Sequence, residues 1–277
     1  MNFFENLEVI LSFSFLQRAL IVGLVVSLCA SLLGVSLVLK RYAMIGTSLS
    51  HVGFAAMTGA MALGFAPVAA SLPIVVVAAF FLLRLNENSK IKGDSAVALV
   101  SASSLAVGVI IFNHTMGPRV STCNAMFGNI LAMSEADMRI SVAMSVVVMI
   151  LFVLFYRQIF AVTYDEDFAR ATGTKVELYK SLLAVLTALT VILGMQMMGA
   201  LLISSLIVFP ALTAMRICKS FLSVIVVSAV VAVFCFFVGF VLAFGLDLTT
   251  GASVVGVNMV VFALFSGIAF IRGSVLR

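Results

Sequence analysis

Nine apolar blocks, each about 20 residues long and parted by short connections that carry most of the charge, constrain this chain more than any other feature of it. They run from about Leu16 to Leu39, Met44 to Gly64, Pro67 to Arg84, Ala96 to Asn113, Met138 to Phe160, Ser181 to Gln196, Gly199 to Met215, Phe221 to Leu246 and Ala252 to Ile271. A helix of that length rises about 30 Å, the thickness of a bilayer's hydrocarbon core, and within lipid a helix satisfies its own backbone polar groups. Hydrophobic residues make up 64% of the chain and charged ones 10%, with a mean hydropathy of +1.29. Soluble domains carry about a quarter charged residues, so the soluble classes are excluded. The sequence predicts an all-α polytopic membrane helix bundle of about nine transmembrane helices, or eight if the sixth and seventh blocks form one broken unit. With 277 residues, the spans leave no room for a sizeable soluble domain, and 1–277 reads as a single transmembrane domain.

The cations orient it. With the N-terminus outside, alternate connections place Lys40, Arg41, Arg84, Lys90, Lys92, Arg157, Arg170, Lys175, Lys180, Arg216, Lys219, Arg272 and Arg277 inside, and only Arg18, Arg119 and Arg139 outside. Thirteen against three is the bias expected of cytoplasmic loops, so the C-terminus is expected in the cytoplasm. The net charge of +5 is not a nucleic-acid signal, because in a membrane protein what matters is which side the cations occupy. Residues 1–15 read as an interfacial lead-in, and without a basic stretch ahead of the first span no cleaved signal peptide is expected. Cys29, Cys123, Cys218 and Cys235 are too scattered for a disulfide or metal framework and read as small buried hydrophobes.

The longest charged run between two apolar blocks is Ala161 to Lys180, AVTYDEDFARATGTKVELYK. Thr163 stands three residues before Glu166, the spacing of a capping box, and Asp165, Glu166 and Asp167 suit the positive end of a helix dipole. Gly173 is a natural stop. The pattern predicts a helix of about nine residues with Tyr164, Phe168 and Ala171 on one face, on the cytoplasmic side. Such a face reads either as an ordinary solvated loop or as the docking helix for a soluble motor.

Ionisable groups inside the spans are few, which singles out His51. It lies ten residues beyond Arg41, about 15 Å along a helix and so near the midplane. Thr47 and Ser48 share its face. It reads as a histidine satisfied by a neighbouring helix or as a ligand for a divalent transition metal; a single imidazole holds no metal alone, so the second reading asks for two copies of the chain. Pro210, in GALLISSLIVFPALTAMR from Gly199, predicts a helix kink, either a packing feature or a lever. Asp247 and His114 stand at outer span ends, and Met195, Met197 and Met198 read mostly as packing. No Walker loop, zinc-protease helix or nucleophile elbow is present, so the chain is read as a transport subunit without catalytic residues or a bound cofactor.

Four segments carry a resemblance: FLQRALIVGLVVSLCASLLGVSLVLKRYAMIGTSLSHVGFAA from Phe15, FGNILAMSEAD from Phe127, YDEDFARATG from Tyr164 and MGALLISSLIVFPALTAMR from Met198. Together they resemble the membrane permease subunits of bacterial zinc and manganese ABC importers, the ABC-3 type. The resemblance implies a bacterial inner-membrane permease, paired with a second copy or a related chain, with cytoplasmic ABC ATPase subunits docked near 164–172, at Tyr164, Asp165, Glu166, Phe168, Ala171 and Gly173. It also implies an extracytoplasmic metal-binding protein that delivers zinc, manganese or possibly iron. The family commonly has an aspartate four residues before the path histidine; here that position is Thr47, which removes up to two negative charges per dimer. The family's aspartate and glycine before the last span match Asp247 and Gly251, with Thr249 where a proline is often found. Two other functions stay open: a permease for a metal chelate or other organic substrate, which the missing aspartate favours, and a secondary transporter without an ATPase, which the scarcity of intramembrane carboxylates disfavours.

Overall fold

The computed structural model describes residues 12–88, 93–116, 135–246 and 248–275, and these form helices joined by short turns. In order they are α1 (Ser14–Leu39), α2 (Ala43–Ala62), α3 (Pro67–Asn88), α4 (Gly93–Met116), α5 (Glu135–Leu154), α6 (Tyr156–Tyr164), α7 (Glu166–Ala171), α8 (Val176–Met198), α9 (Ala200–Ile217), α10 (Phe221–Gly245) and α11 (Thr250–Val275). All nine expected blocks are therefore helical. The expectation of nine spans is met only in part. Among the described residues, six helices (α1, α4, α8, α9, α10 and α11) are long and apolar enough to cross a membrane, or seven if the bent pair α5–α6 counts as one. The other two blocks fall short for different reasons: α2 is loaded with Thr47, Ser48, Ser50, His51 and Thr58, and the apolar part of α3 is confined to Ala69–Leu85.

The fifth block departs most from its expected course. Instead of one span from Met138 to Phe160, the chain bends by 68° between α5 and α6, at Phe155. Arg157 and Gln158 end the uniformly apolar run there, and α6 is amphipathic, burying Ile159 and Val162 while exposing Arg157 and Phe160.

Two groups of helices flank a central pair. On one side α2 packs on α4 and α3; on the other α9, α10 and α11 pack on one another; α1 and α8 lie between and touch both groups. The fully buried side chains Leu33, Leu186, Ile192, Leu202 and Phe236 mark that centre. Between helices in lipid, shape and close approach replace the hydrophobic effect as the main driving force. The seam of α1 and α9 shows this directly: a Cβ at Gly34 would lie 2.0 Å from the Ile207 carbonyl oxygen, so backbone meets backbone. The tight separation of the sixth and seventh blocks proves to be one residue, Gly199, at φ 85° and ψ 161°, a conformation open essentially to glycine. The chain turns back so sharply there that a Cβ on Gly194 of α8 would stand 2.4 Å from Ile203 Cδ1 of α9.

Charge gathers at the two ends of the bundle. Arg18 at the start of α1 pairs with Glu135 at the start of α5, and Arg139 lies 3.8 Å from the same carboxylate. The opposite end carries Lys40, Arg41, Arg157, Lys175, Lys180, Arg216 and Lys219.

Candidate functional sites, a mid-bundle histidine and a charged corner

The turn from α1 into α2 is built as a Schellman motif. Tyr42 N–H donates to the Leu37 carbonyl at 2.7 Å and Arg41 N–H to the Val38 carbonyl at 3.0 Å, with Arg41 at φ 61° where glycine is usual. From that turn α2 runs inward to a small polar ladder against α4. The Ser48 hydroxyl donates to the Val97 carbonyl at 3.1 Å, and one turn on, His51 Nδ1 lies 2.7 Å from the Ser101 hydroxyl. Residues three apart on α2 thus face residues four apart on α4. The two helices are held close because Gly108 has no side chain: a Cβ there would be 3.0 Å from Ala55 Cα. Ser50 is turned aside, donating to the Thr47 carbonyl at 2.7 Å.

His51 is half-buried, and with Nδ1 engaged by a hydroxyl, Nε2 is the nitrogen left to meet another group. That is the arrangement of a ligating imidazole oriented by a neighbour, and also of a histidine satisfied across a helix pair. Among the described residues no group of three or more His, Cys, Asp or Glu side chains comes together, so one copy offers no closed cage. Thr47 is half-buried on the same helix and adds a neutral hydroxyl rather than a charge. Asp247 lies outside the described residues, as do Cys123 and the stretch 117–134. His114 is exposed in the last turn of α4. Cys29, Cys218 and Cys235 are free thiols, and Cys29 Sγ donates to the Ser145 carbonyl at 3.2 Å.

Pro210 is buried in α9, which runs from Ala200 to Ile217 without a break. Hydroxyls cluster around it: Ser205 donates to the Leu202 carbonyl at 2.8 Å and Thr213 to the Phe209 carbonyl at 2.8 Å. A sharp discontinuity of the chain lies at Gly199, where a positive φ redirects it.

The charged corner corrects the sequence reading in its details. The helix α7 has six residues, not about nine, and its N-cap is Asp165, not Thr163. Asp165 is extended at φ −148° and ψ 106°, and its carboxylate accepts from Phe168 N–H at 2.9 Å. A carboxylate beside the helix dipole is a stronger acceptor than a hydroxyl, and the amphipathic run of α6 carries the preceding helix through Tyr164. Thr163 Oγ1 is buried without a partner among the described residues. The helix ends at Ala171, and Gly173, at φ 82°, closes it with a Schellman pair: Thr174 N–H to Ala169 at 3.0 Å and Gly173 N–H to Arg170 at 3.1 Å.

One face of this corner is bare. Tyr164 is 82% exposed and Phe168 65%, and Ala171 is exposed beside them, although Tyr164 belongs to α6. The other face is anchored. Ala169 is fully buried in a small cluster with Val162 and Val176, separate from the main core. Glu166 points inward to Lys40 at the end of α1 and Lys180 in the second turn of α8, both lysines almost wholly buried. Partial burial raises the Glu166 carboxyl, but the hydrogen bonds and positive charges of Lys180 and Lys40 outweigh it and hold the group below the usual carboxylate range. At the far end of α7, Arg170 lies 3.6 Å from Glu177.

Sequence reasoning missed Lys40, Lys180 and Ser101 as partners. The lysines counted only toward orientation, and nothing local links Lys40 to a carboxylate 126 positions away. Ser101 sits in a block rich in serine, which was the one available hint.

The comparisons with known proteins follow the same outline. The chain is 28% identical over 262 residues to the manganese transport system membrane protein MntC of Halalkalibacterium halodurans, covering 95% of this chain and 89% of that protein. It is 28% identical over 253 residues to the high-affinity zinc uptake system membrane protein ZnuB of Haemophilus influenzae, covering 91% and 97%. Its fold matches a chain of PsaBC from Streptococcus pneumoniae, solved in complex with Fab, with a TM-score of 0.82, 29% identity and 94% of each chain covered. The family described as the ABC 3 transport family matches residues 12–269, nearly the whole chain, and the protein belongs to that family as a multi-pass membrane permease.

Proposed function

We propose that this chain is the permease subunit of an ATP-binding-cassette importer for divalent transition metal ions, zinc or manganese. The observation that carries the reading is the near full-length likeness to membrane proteins of manganese and zinc transport systems, extending over 94% of the chain in three dimensions. In this reading the nine helical blocks span the membrane with the N-terminus outside, and the basic end faces the cytoplasm. The bare face of Tyr164, Phe168 and Ala171 receives a separate ATPase chain, which hydrolyses ATP on the permease's behalf. A second permease copy brings a second His51, and an extracytoplasmic binding protein supplies the ion as substrate. Motor closure has to favour one arrangement of the helices over the other, because only differential binding shifts a two-state equilibrium. Thr47, neutral where the family commonly places an aspartate, favours a second reading in which the cargo is a metal chelate.

The deciding experiment is cellular accumulation of zinc, manganese and iron under metal limitation, comparing a deletion strain with complementation by wild type and by His51→Ala. One metal falls in the deletion and is restored by wild type alone. Equal restoration by His51→Ala would make His51 a packing residue, and no change in any metal would turn the reading to the chelate.

A further inference from the structure

Glu166 stands apart from its neighbours on α7. Asp165 caps the helix, Asp167 and Phe168 face outward, and Glu166 alone turns to the bundle, its two oxygens divided between Lys40 and Lys180. The lysines belong to the two central helices. Lys40 is the C-cap of α1, immediately before the Arg41 turn that launches α2 and, ten residues on, His51. Lys180 lies in the second turn of α8, the helix that ends in the Gly199 reversal. A small apolar cavity lined by Leu37, Tyr42, Ile45 and Leu49 lies directly beneath the two lysines, where the ends of α1, α2, α3 and α8 meet.

We propose that Glu166 is a positioning residue that ties α7 to α1 and α8 through Lys40 and Lys180, passing displacement of α7 into the helix that leads to His51 rather than touching the motor itself. This rests on the reading of α7 as the ATPase-docking helix. Among the described residues, and apart from the chain connections, α7 meets the bundle through the small Ala169 cluster, the exposed Arg170–Glu177 pair and this clasp. Exposed ion pairs contribute little, whereas breaking a pair whose partners are buried strands their charge. The clasp is therefore the stiff link between α7 and the two central helices.

The test reconstitutes permease with its ATPase in proteoliposomes and reads three quantities for each variant: co-purified ATPase, ATP hydrolysis, and uptake of Mn²⁺ and Zn²⁺. Glu166→Gln keeps co-purification and hydrolysis within about twofold of wild type while uptake falls about tenfold or more. Exchanging the charges in Glu166→Lys with Lys180→Glu preserves one carboxylate between two ammonium groups and restores uptake to within about threefold. Phe168→Asp serves as the control and loses the ATPase. If Glu166→Gln loses the ATPase as Phe168→Asp does, Glu166 is a motor contact and the proposal falls. Wild-type uptake in Glu166→Gln overturns it as well, as does an exchanged variant that accumulates normally yet stays inactive. Retention of the ATPase by Phe168→Asp would instead overturn the docking reading, and with it the role given to the clasp.

Discussion

The seam between α1 and α9 and the corner formed by α6 and α7 are held by opposite means. At the seam, Gly34 lets backbone touch backbone at Ile207, surrounded by fully buried Leu33 and Leu202. At the corner a small cluster of Val162, Ala169 and Val176 is supplemented by Glu166 between two lysines. Dense packing tolerates almost no displacement, because dispersion and steric terms change steeply over tenths of an ångström. A charge clasp at the edge of the bundle instead passes movement on, because its charges travel together as α7 and the adjoining ends of α1 and α8 shift. The difference teaches that one region keeps the bundle's shape while the other can move as a unit attached to it.

That contrast is broken most severely at the seam. Gly34→Val places carbon where the Ile207 carbonyl oxygen stands, and overpacking of this kind costs about 3 kcal/mol or more. In detergent the thermal midpoint is expected to fall by about 10 °C, with little protein recovered from membranes. Ala169→Glu does the converse. It forces a carboxylate into the corner's small cluster, so ATPase co-purification and metal uptake are lost while the thermal midpoint of the whole bundle changes by only about 2 °C. Equal collapse of the midpoint in both variants would show that corner and seam form one cooperative unit.

Between these regions lies the α2–α4 ladder, and Ser101→Ala probes it. The substitution strips His51 Nδ1 of its partner, at a cost of about 1–3 kcal/mol, and is expected to raise the KM for metal uptake with ATPase co-purification unchanged. Arg41→Gly sharpens the comparison from the stabilising side. Relief of the left-handed strain at φ 61° should add about 1 kcal/mol and lift the thermal midpoint by a few degrees.

The smallest effect is in pH. The Glu166 carboxyl is held below its unfolded value, so its contribution is complete above the ordinary carboxylate range and is lost as pH falls through the lower folded value. The chain has no tryptophan, so Tyr179→Trp, next to the corner cluster, gives a single reporter. Its emission should hold steady from pH 8 to 5 and redden only below the ordinary carboxylate range. Reddening already at pH 6 would mean that another group controls the corner.

Much of this architecture was legible before any coordinate. The nine helical blocks follow from apolar length, and the breaks at Gly64, Gly173 and Gly199 fall at glycines that adopt positive φ. The bend at Phe155 was not legible, since Phe155 and Tyr156 continue an apolar run and Arg157 and Gln158 suit the end of a straight span equally well. Thr163 and Asp165 both had the chemistry of a cap, and the contest was settled by how far α6 extends. His51 stood out because a lone ionisable group in an apolar helix is conspicuous, whereas its partner Ser101 was one serine among several.

What the sequence by itself determined is the class of molecule and the places where chemistry can occur. Hydrophobic length makes helices, charge bias sets the orientation to be expected of them, and a histidine or a charged loop is visible wherever it stands. What only the tertiary structure decided is which charges face which. Glu166 shares its charge and the first turn of α7 with Asp167, and of the two it alone turns inward, because the end of α1 and the start of α8 lie beside it with Lys40 and Lys180. Ion pairing acts over a few ångströms in space without regard to distance along the chain, so no reading of local spacing could have assigned it.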